Sequence, residues 1–398
     1  MAEPVIVAVG RSAIGRAFKG SLIDVRADDL LLQVTRSVLE RVPELDPAQI
    51  DEVLLGCSLA AGEQGGNLGR VLPVMLGFDE VPGCTVNRYC ASSMQTTRMA
   101  EHAIRAGDGQ VYLSVGLESV SRVRQPGPDP LPEERNRMFR PRPAADGEWR
   151  DPRDLGLVPD AFVSMGETAE NVASRYGVSR LEMDEFALRS QELADERARA
   201  GFWEREIVPV TRPDGSVVAA DDSPRSGTTL AGLQALDPVF RDGGRVTAGN
   251  CCPLNDGAAA VLVMSDTKAD QLGLRPLARI LSTAVSALSP ELMGVGPIEA
   301  SRRALAKAGL SAGDIDLVEI NEAFAAQVIP SYRGLDLPLE KVNINGGAIA
   351  LGHPFGMSGA RITSTLVNSL DWHDKRIGLQ AMCVAGGQGM AMVIERCE

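Results

Sequence analysis

One plan occurs twice in this chain of 398 residues. Leu31 to Val53 reads as an amphipathic helix, a polar turn and then Pro47-Ala48-Gln49-Ile50-Asp51-Glu52-Val53. Ala300 to Val318 repeats it, ending in Ala312-Gly313-Asp314-Ile315-Asp316-Leu317-Val318. In the second copy Ala304, Leu305 and Ala308 share a helical face, and Gly309 stands where a helix-ending glycine belongs. Each copy leads into a short apolar segment, Val53 to Leu55 and Leu317 to Ile320, that reads as a buried strand. Each half then predicts a further strand, a Gly- or Ser-rich turn and a helix, over Thr85 to Gly107 and over Val342 to Leu370. Strands alternating with helices in two similar halves predict an α/β fold built from two βαβ-type units packed together.

A different composition separates the halves. Ser121 to Asp160 holds eight Pro, eight Arg and eight acidic residues, which predicts an irregular excursion, since Pro breaks both ladders and helices. A helix is predicted from Met165 to Tyr176, stopped at Gly177. Ser179 with Glu182 then makes a capping box for a second helix, which runs to Ala200 and stops at Gly201. The expected domains are residues 1–120 with 246–272 as an N-terminal half, 121–245 as an inserted loop domain, and 273–398 as a C-terminal half. The insertion covers the site or binds a large ligand, or else is purely structural.

Composition matters here for what it excludes. Forty Lys and Arg against 53 Asp and Glu leave a net charge of −13, which argues against nucleic acid or anionic membrane as a partner. The longest uncharged runs, Val342 to Ala360 and Ile377 to Ile394, are interrupted by Gly and by polar residues, so neither reads as a membrane span. Met1 to Gly10 has no basic stretch and no long apolar core, so no signal peptide is expected. Seven cysteines without C-x-x-C spacing, and only three histidines, predict neither a disulfide framework nor a metal site. A soluble, reduced, cytoplasmic protein is expected.

Four segments could carry chemistry. Cys90 lies in Thr85-Val86-Asn87-Arg88-Tyr89-Cys90-Ala91-Ser92-Ser93-Met94, between a strand and a helix whose stripe is Met94, Thr97, Ala100, Ala103 and Ile104. Free amides and the helix dipole at such a junction favour a thiolate and can hold an oxyanion, although most free cysteines simply fill a small buried hole. His353 sits among glycines in Leu351-Gly352-His353-Pro354-Phe355-Gly356, a setting that suits a general base better than a core-filling ring. Cys383 precedes the turn Val384-Ala385-Gly386-Gly387-Gln388-Gly389, where a thiol could exchange a proton beside unhindered amides. Asn321-Glu322-Ala323-Phe324 follows the strand Leu317 to Ile320, where ligands bind in open α/β folds or where Asn caps the next helix. His102, mid-helix beside Glu101 and Arg105, reads as a solvated or half-buried side chain, and His373 as a surface turn.

Taken together, these segments resemble the thiolase family over essentially the whole chain. Their order and spacing match, as do Arg225-Ser226-Gly227-Thr228-Thr229, Val246-Thr247-Ala248-Gly249-Asn250 and Leu254-Asn255-Asp256-Gly257. The resemblance implies a layered α/β/α/β/α thiolase fold with the inserted loop domain. It implies an acyltransferase that cleaves a 3-ketoacyl-CoA with CoA, or runs the reverse Claisen condensation, in fatty acid β-oxidation and lipid degradation. Cys90 is then the nucleophile and His353 its activator. His353, with Asn321 acting through a water, polarises the thioester oxygen. Cys383 protonates the leaving carbanion, and the amides of Cys90 and Ala385 form a second oxyanion hole. Coenzyme A is a substrate and no permanently bound cofactor is implied. A homodimer or homotetramer is expected.

Three departures bear on this expectation. Ala385 replaces the family's third glycine. Cys251-Cys252-Pro253 stands where a CoA-contacting Ser is common, so Cys252 is expected to pack or to touch CoA weakly. Ser164 replaces a His before Met165-Gly166, which leaves room for a bulkier acyl group in a pocket shaped by Met165, Met293 and Phe355. Arg225 is the expected contact for the phosphate end of CoA. A ketoacyl synthase would need a histidine between the nucleophile and the last catalytic loop, and none occurs from Ala103 to Gly352. A cysteine hydrolase leaves Cys383 unexplained, and a non-catalytic acyl-CoA binding protein leaves the whole reactive set unexplained.

Overall fold

The computed structural model describes residues 2–123, 136–139 and 150–397, so most of the Pro- and Arg-rich excursion lies outside the described residues. Nine strands of four or more residues occur among them: β1 (Pro4–Ser12), β2 (Glu52–Cys57), β3 (Gly83–Val86), β4 (Val111–Ser119), β5 (Asn255–Ser265), β6 (Ala278–Ala287), β7 (Leu317–Ile320), β8 (Ile377–Val384) and β9 (Gln388–Arg396). The longer helices are α1 (Ala27–Leu39), α2 (Leu68–Leu76), α3 (Ser92–Ala106), α4 (Met165–Arg175), α5 (Arg180–Arg199), α6 (Gly296–Ala308), α7 (Ala325–Gly334) and α8 (Ser358–Trp372).

The duplication read from sequence is a duplication of strand order. In the first half the order is β3-β2-β4-β5-β1, and β2 runs parallel to both neighbours while β5 is antiparallel to both of its own. In the second half β7, β8, β9 and β6 follow with the same pattern of directions. The two halves join where β1 meets β6 antiparallel, Val5 opposite Arg279 and Ile6 opposite Ala278. The strand predicted at Val342 is reduced to a single bridge with Val318. Asn343 turns into the left-handed region at φ 47°, which ends any ladder there.

Burial explains the strand and helix sequences. β5 is buried along its whole length, so Ala258 to Met264 reads as a continuous apolar run without alternation. α8 is buried on nearly every side, including Arg361, Thr363, Ser364 and Thr365, which marks a helix enclosed in the core rather than one with a solvent face. α3 and α8 meet close to their N-termini. A Cβ on Gly359 would lie 2.2 Å from the Met94 amide nitrogen, and one on Gly56 would lie 2.3 Å from that of Ser93. Glycine is needed at both positions because two backbones touch.

Between β4 and β5, α4 ends at Arg175 with Tyr176 as its C-cap, and α5 begins with the Ser179–Glu182 capping box, both of its bonds being present. The segment is sewn into the main sheet. Ile207 and Val208 pair parallel with Arg11 and Ser12, and the buried Arg11 guanidinium bonds Glu206 at 2.5 Å and Asp221 at 2.7 Å. No helix among the described residues is long and apolar enough to cross a membrane.

Candidate active site

Cys90 ends a strained turn between β3 and α3. Tyr89, just before it, has φ 46°, a conformation that costs a non-glycine residue about 1–3 kcal/mol. Side chains hold the turn in place. Asn87 Oδ1 accepts from the Tyr89 N–H at 2.8 Å, and its Nδ2 donates to the Ser58 carbonyl at 2.8 Å. Ser92 Oγ accepts from the Arg88 N–H at 2.8 Å and donates to the Tyr89 carbonyl at 2.6 Å. The backbone N–H groups of Cys90 and Ala385 lie close enough to the Cys90 sulfur to lower its proton affinity.

The surroundings of Cys90 work against the expected thiolate. Burial, and then the Glu118 carboxylate, push the Cys90 thiol up to about 12, outweighing the two amides that pull it down. Position at a helix start favours an anion only while solvent or a cation can share the charge, and Cys90 is 9% exposed with an anion beside it. Cys383, fully buried at the end of β8, is also pushed well above the ordinary thiol value, by burial and then by Cys90. Cys252 feels both of these sulfurs, so three thiols share one neighbourhood. Its N–H donates to the Ala323 carbonyl at 3.0 Å, next to the Asn321 segment.

His353 is held on every side. Its N–H donates to Asn255 Oδ1 at 2.9 Å, and Gly352, at φ 117°, leaves no space for a Cβ beside the Asn255 amide. Ser358 Oγ lies 2.6 Å from Nδ1 and donates its one proton to the Pro354 carbonyl at 2.7 Å. The serine must therefore accept from Nδ1–H, and Nε2 keeps the lone pair. Burial, then the Arg361 cation, hold the ring down to about 3, so it is neutral throughout the physiological range. The Asn321 amide nitrogen lies 3.2 Å from Nε2 and 3.5 Å from Nδ1, against the ring edge, and the buried Asn321 Oδ1 makes no hydrogen bond within the described chain. Phe355 stands edge-on to the ring at 5.2 Å.

Ala385 settles into ordinary backbone: it is absent from the residues with positive φ, which Gly386 and Gly387 occupy at 75° and 79°. The alanine is tolerated because the turn's left-handed positions fall one and two residues later.

The expected CoA contacts scatter over a wider region. Exposed Arg225 lines a cleft with Ser223, Thr228, Ala248, Gly249 and Cys251. Ser164 caps α4, its Oγ accepting from the Glu167 N–H at 3.4 Å. Buried Met293 and partly buried Met165 belong to one apolar cluster. His102 is exposed on α3, and His373 is half-buried just past the end of α8. No group of three or more metal-ligating side chains occurs among the described residues.

Ser358, Asn255 and Glu118 belong to the site without announcing themselves as reactive residues. A signal existed for Glu118, which is the single charge in the nine-residue strand β4, Val-Tyr-Leu-Ser-Val-Gly-Leu-Glu-Ser. Ser358 lies one turn past His353 at the first position of α8, where a hydroxyl reads equally well as a helix-start residue.

Residues 4–267 match the family model described as thiolase, N-terminal domain, and residues 274–396 match thiolase, C-terminal domain. The chain is 44% identical over 402 residues to the acetyl-CoA acetyltransferase of Escherichia coli (strain K12), with 100% of each covered. It is 42% identical over 405 residues to the 3-ketoacyl-CoA thiolase of Idiomarina loihiensis, again with 100% of each covered. The crystal structure of human mitochondrial 3-ketoacyl-CoA thiolase in complex with CoA superimposes with a TM-score of 0.87 at 37% identity, covering 99% of this chain and 98% of that one.

Proposed function

The chain belongs to the thiolase family and is an acyltransferase, and on that premise we propose that it cleaves a 3-ketoacyl-CoA with CoA through an acyl-Cys90 intermediate. The reverse Claisen condensation uses the same groups. What supports the reading is a buried thiol at the start of α3 together with a neutral imidazole whose Nδ1–H is held by Ser358, which leaves Nε2, beside the Asn321 amide, as the basic nitrogen.

The proton inventory then closes. Cys90 Sγ attacks the 3-keto carbon while its proton passes to His353 Nε2. The C2–C3 bond breaks, and the electron pair stays on the acetyl-CoA carbon as an enolate. Cys383 gives that carbon its proton, and the His353 imidazolium restores the Cys383 thiol. In the second half, the CoA thiol attacks the acyl-Cys90 carbonyl, with His353 again receiving and returning the proton. The Cys90 and Ala385 amides hold the tetrahedral oxyanion, while His353 and Asn321, through a water, hold the thioester oxygen of the enolate. Because both Cys90 and His353 rest neutral, proton transfer accompanies the attack rather than preceding it. CoA is a substrate, and its phosphates meet Arg225 at the mouth of the cleft, while Cys252 lines the path and Ser164, Met165 and Met293 border the acyl group.

Residues 121–245 act as the cover over the CoA end, between an N-terminal half of 1–120 with 246–272 and a C-terminal half of 273–398. The working form is a homodimer or homotetramer. Seven free cysteines fit a reducing compartment, the cytoplasm, and the reaction fits fatty acid β-oxidation.

The test is thiolysis of a 3-ketoacyl-CoA by free CoA, in wild type and in Cys90→Ser. Cleavage by wild type and loss of at least about a thousandfold in the variant are expected. A wild type that leaves the substrate intact, or a variant that keeps most of the rate, overturns the mechanism.

A further inference from the structure

Glu118 is the last charged residue of β4, is 0% exposed, and is surrounded only by donors. Its Oε2 accepts from the Ser58 N–H at 3.0 Å and the Gly356 N–H at 2.8 Å. Its Oε1 accepts from the Leu59 N–H at 3.0 Å and faces the Cys57 thiol at 3.8 Å. These four donors favour the carboxylate and work against the burial that raises its proton affinity. Two of the segments it joins come from opposite halves of the chain. Ser58 and Leu59 follow β2, whereas Gly356 lies three residues past His353 in the turn that leads into α8.

We propose that Glu118 is a positioning residue: its buried carboxylate pins the His353 turn to the loop after β2 and thereby seats the imidazole for proton transfer with Cys90. The proposal rests on the thiolase reading of Cys90 and His353 and adds to it the group that fixes their alignment.

Packing supports this. A Cβ on Gly356 would lie 2.5 Å from the Leu117 carbonyl and 2.7 Å from Cys57 Cα, so the turn is in backbone contact with the strand ends that Glu118 bonds. After burial, the carboxylate is the charge that raises the Cys90 thiol, and burial raises its own proton affinity to about 7. One side chain thus braces the base's turn and adds to the burial that already raises the Cys90 thiol. Glutamine in its place would turn an NH₂ toward at least one N–H donor, breaking one side of the clamp and removing the charge.

The experiment measures thiolysis kinetics and the iodoacetamide alkylation rate of Cys90 in wild type, Glu118→Gln and Glu118→Asp, with Tm as a check on folding. For Glu118→Gln we expect kcat to fall about 10- to 100-fold with KM for CoA within about twofold, while alkylation at fixed pH becomes severalfold faster. A merely structural role would not separate kcat from KM and would not shift the pH at which Cys90 becomes reactive. A kcat within twofold of wild type, or a loss confined to KM, overturns the role of Glu118. Where the Gln variant fails to fold, Glu118→Asp carries the test: a kcat at least about threefold lower with KM unchanged supports the proposal, and an unchanged kcat overturns it. A wild type that cleaves no 3-ketoacyl-CoA overturns the underlying thiolase reading instead, whatever the variants do.

Discussion

Ser358 accepts a hydrogen bond from His353 Nδ1 at 2.6 Å because its own proton is committed to the Pro354 carbonyl. That single relationship decides which imidazole nitrogen is basic. Removing it in Ser358→Ala frees the ring to rotate and to adopt the other tautomer. We expect kcat/KM to drop about 10- to 100-fold, while Ser358→Thr, which keeps the hydroxyl, stays within a few-fold of wild type. Steady-state kinetics of the two variants check this.

The pH behaviour of the nucleophile follows from its environment. Alkylation requires the thiolate, and Cys90 is pushed up to about 12, so the thiolate fraction grows about tenfold with each unit of pH below that value. The iodoacetamide rate of the free enzyme should climb steadily from about pH 6 to 10 without a plateau. A plateau near neutrality would mean a resting thiolate. His353, held down to about 3, adds no inflection in that window.

Cys383 and Cys90 have separable duties. In deuterated water, wild type should exchange the methyl protons of acetyl-CoA, and Cys383→Ala should lose that exchange by at least about a hundredfold. Acetylation of Cys90 by acetyl-CoA, followed by mass spectrometry of intact protein, should persist in the same variant. Loss of both would place Cys383 in the first step as well.

The turn after Cys383 can be probed through its backbone. Gly387 has φ 79°, and a Cβ there would lie 2.3 Å from the Leu288 carbonyl. Gly387→Ala should cost about 2 kcal/mol or more in thermal unfolding and lower kcat by moving the Ala385 amide. Ala385→Gly, at a position outside the left-handed region, should cost under about 1 kcal/mol and keep activity near wild type.

Much of this was legible because local signals agreed with the fold. The capping box at Ser179 and Glu182, the helix-ending Gly107 and Gly309, and the helical stripe after Cys90 each rest on contacts within a few residues. Reactive residues were legible through their glycine-rich surroundings at His353 and after Cys383. The protonation states were not, since the Cys90 thiol answers to burial and to Glu118, which come together only in the folded chain. Val342 was misread as a strand because its apolar neighbours hide the left-handed turn at Asn343. The role of Glu118 is not legible locally for a related reason: its partners, Ser58, Leu59 and Gly356, are brought to it by β2 and by the turn before α8.

The antiparallel meeting of β1 with β6, together with the contact of α3 and α8 across the middle, has a kinetic meaning. Val5 must find Arg279, and Ser93 must find Ala360, whose N–H it accepts at 2.9 Å. Contacts between such distant parts of a chain close slowly, after each half has acquired its own local order. The nucleophile and its base come from different halves, so a partly folded chain holds a complete nucleophile turn without its base. Catalytic competence is thereby tied to the last stage of folding, and enzymatic activity becomes a reporter of finished tertiary assembly rather than of secondary structure content.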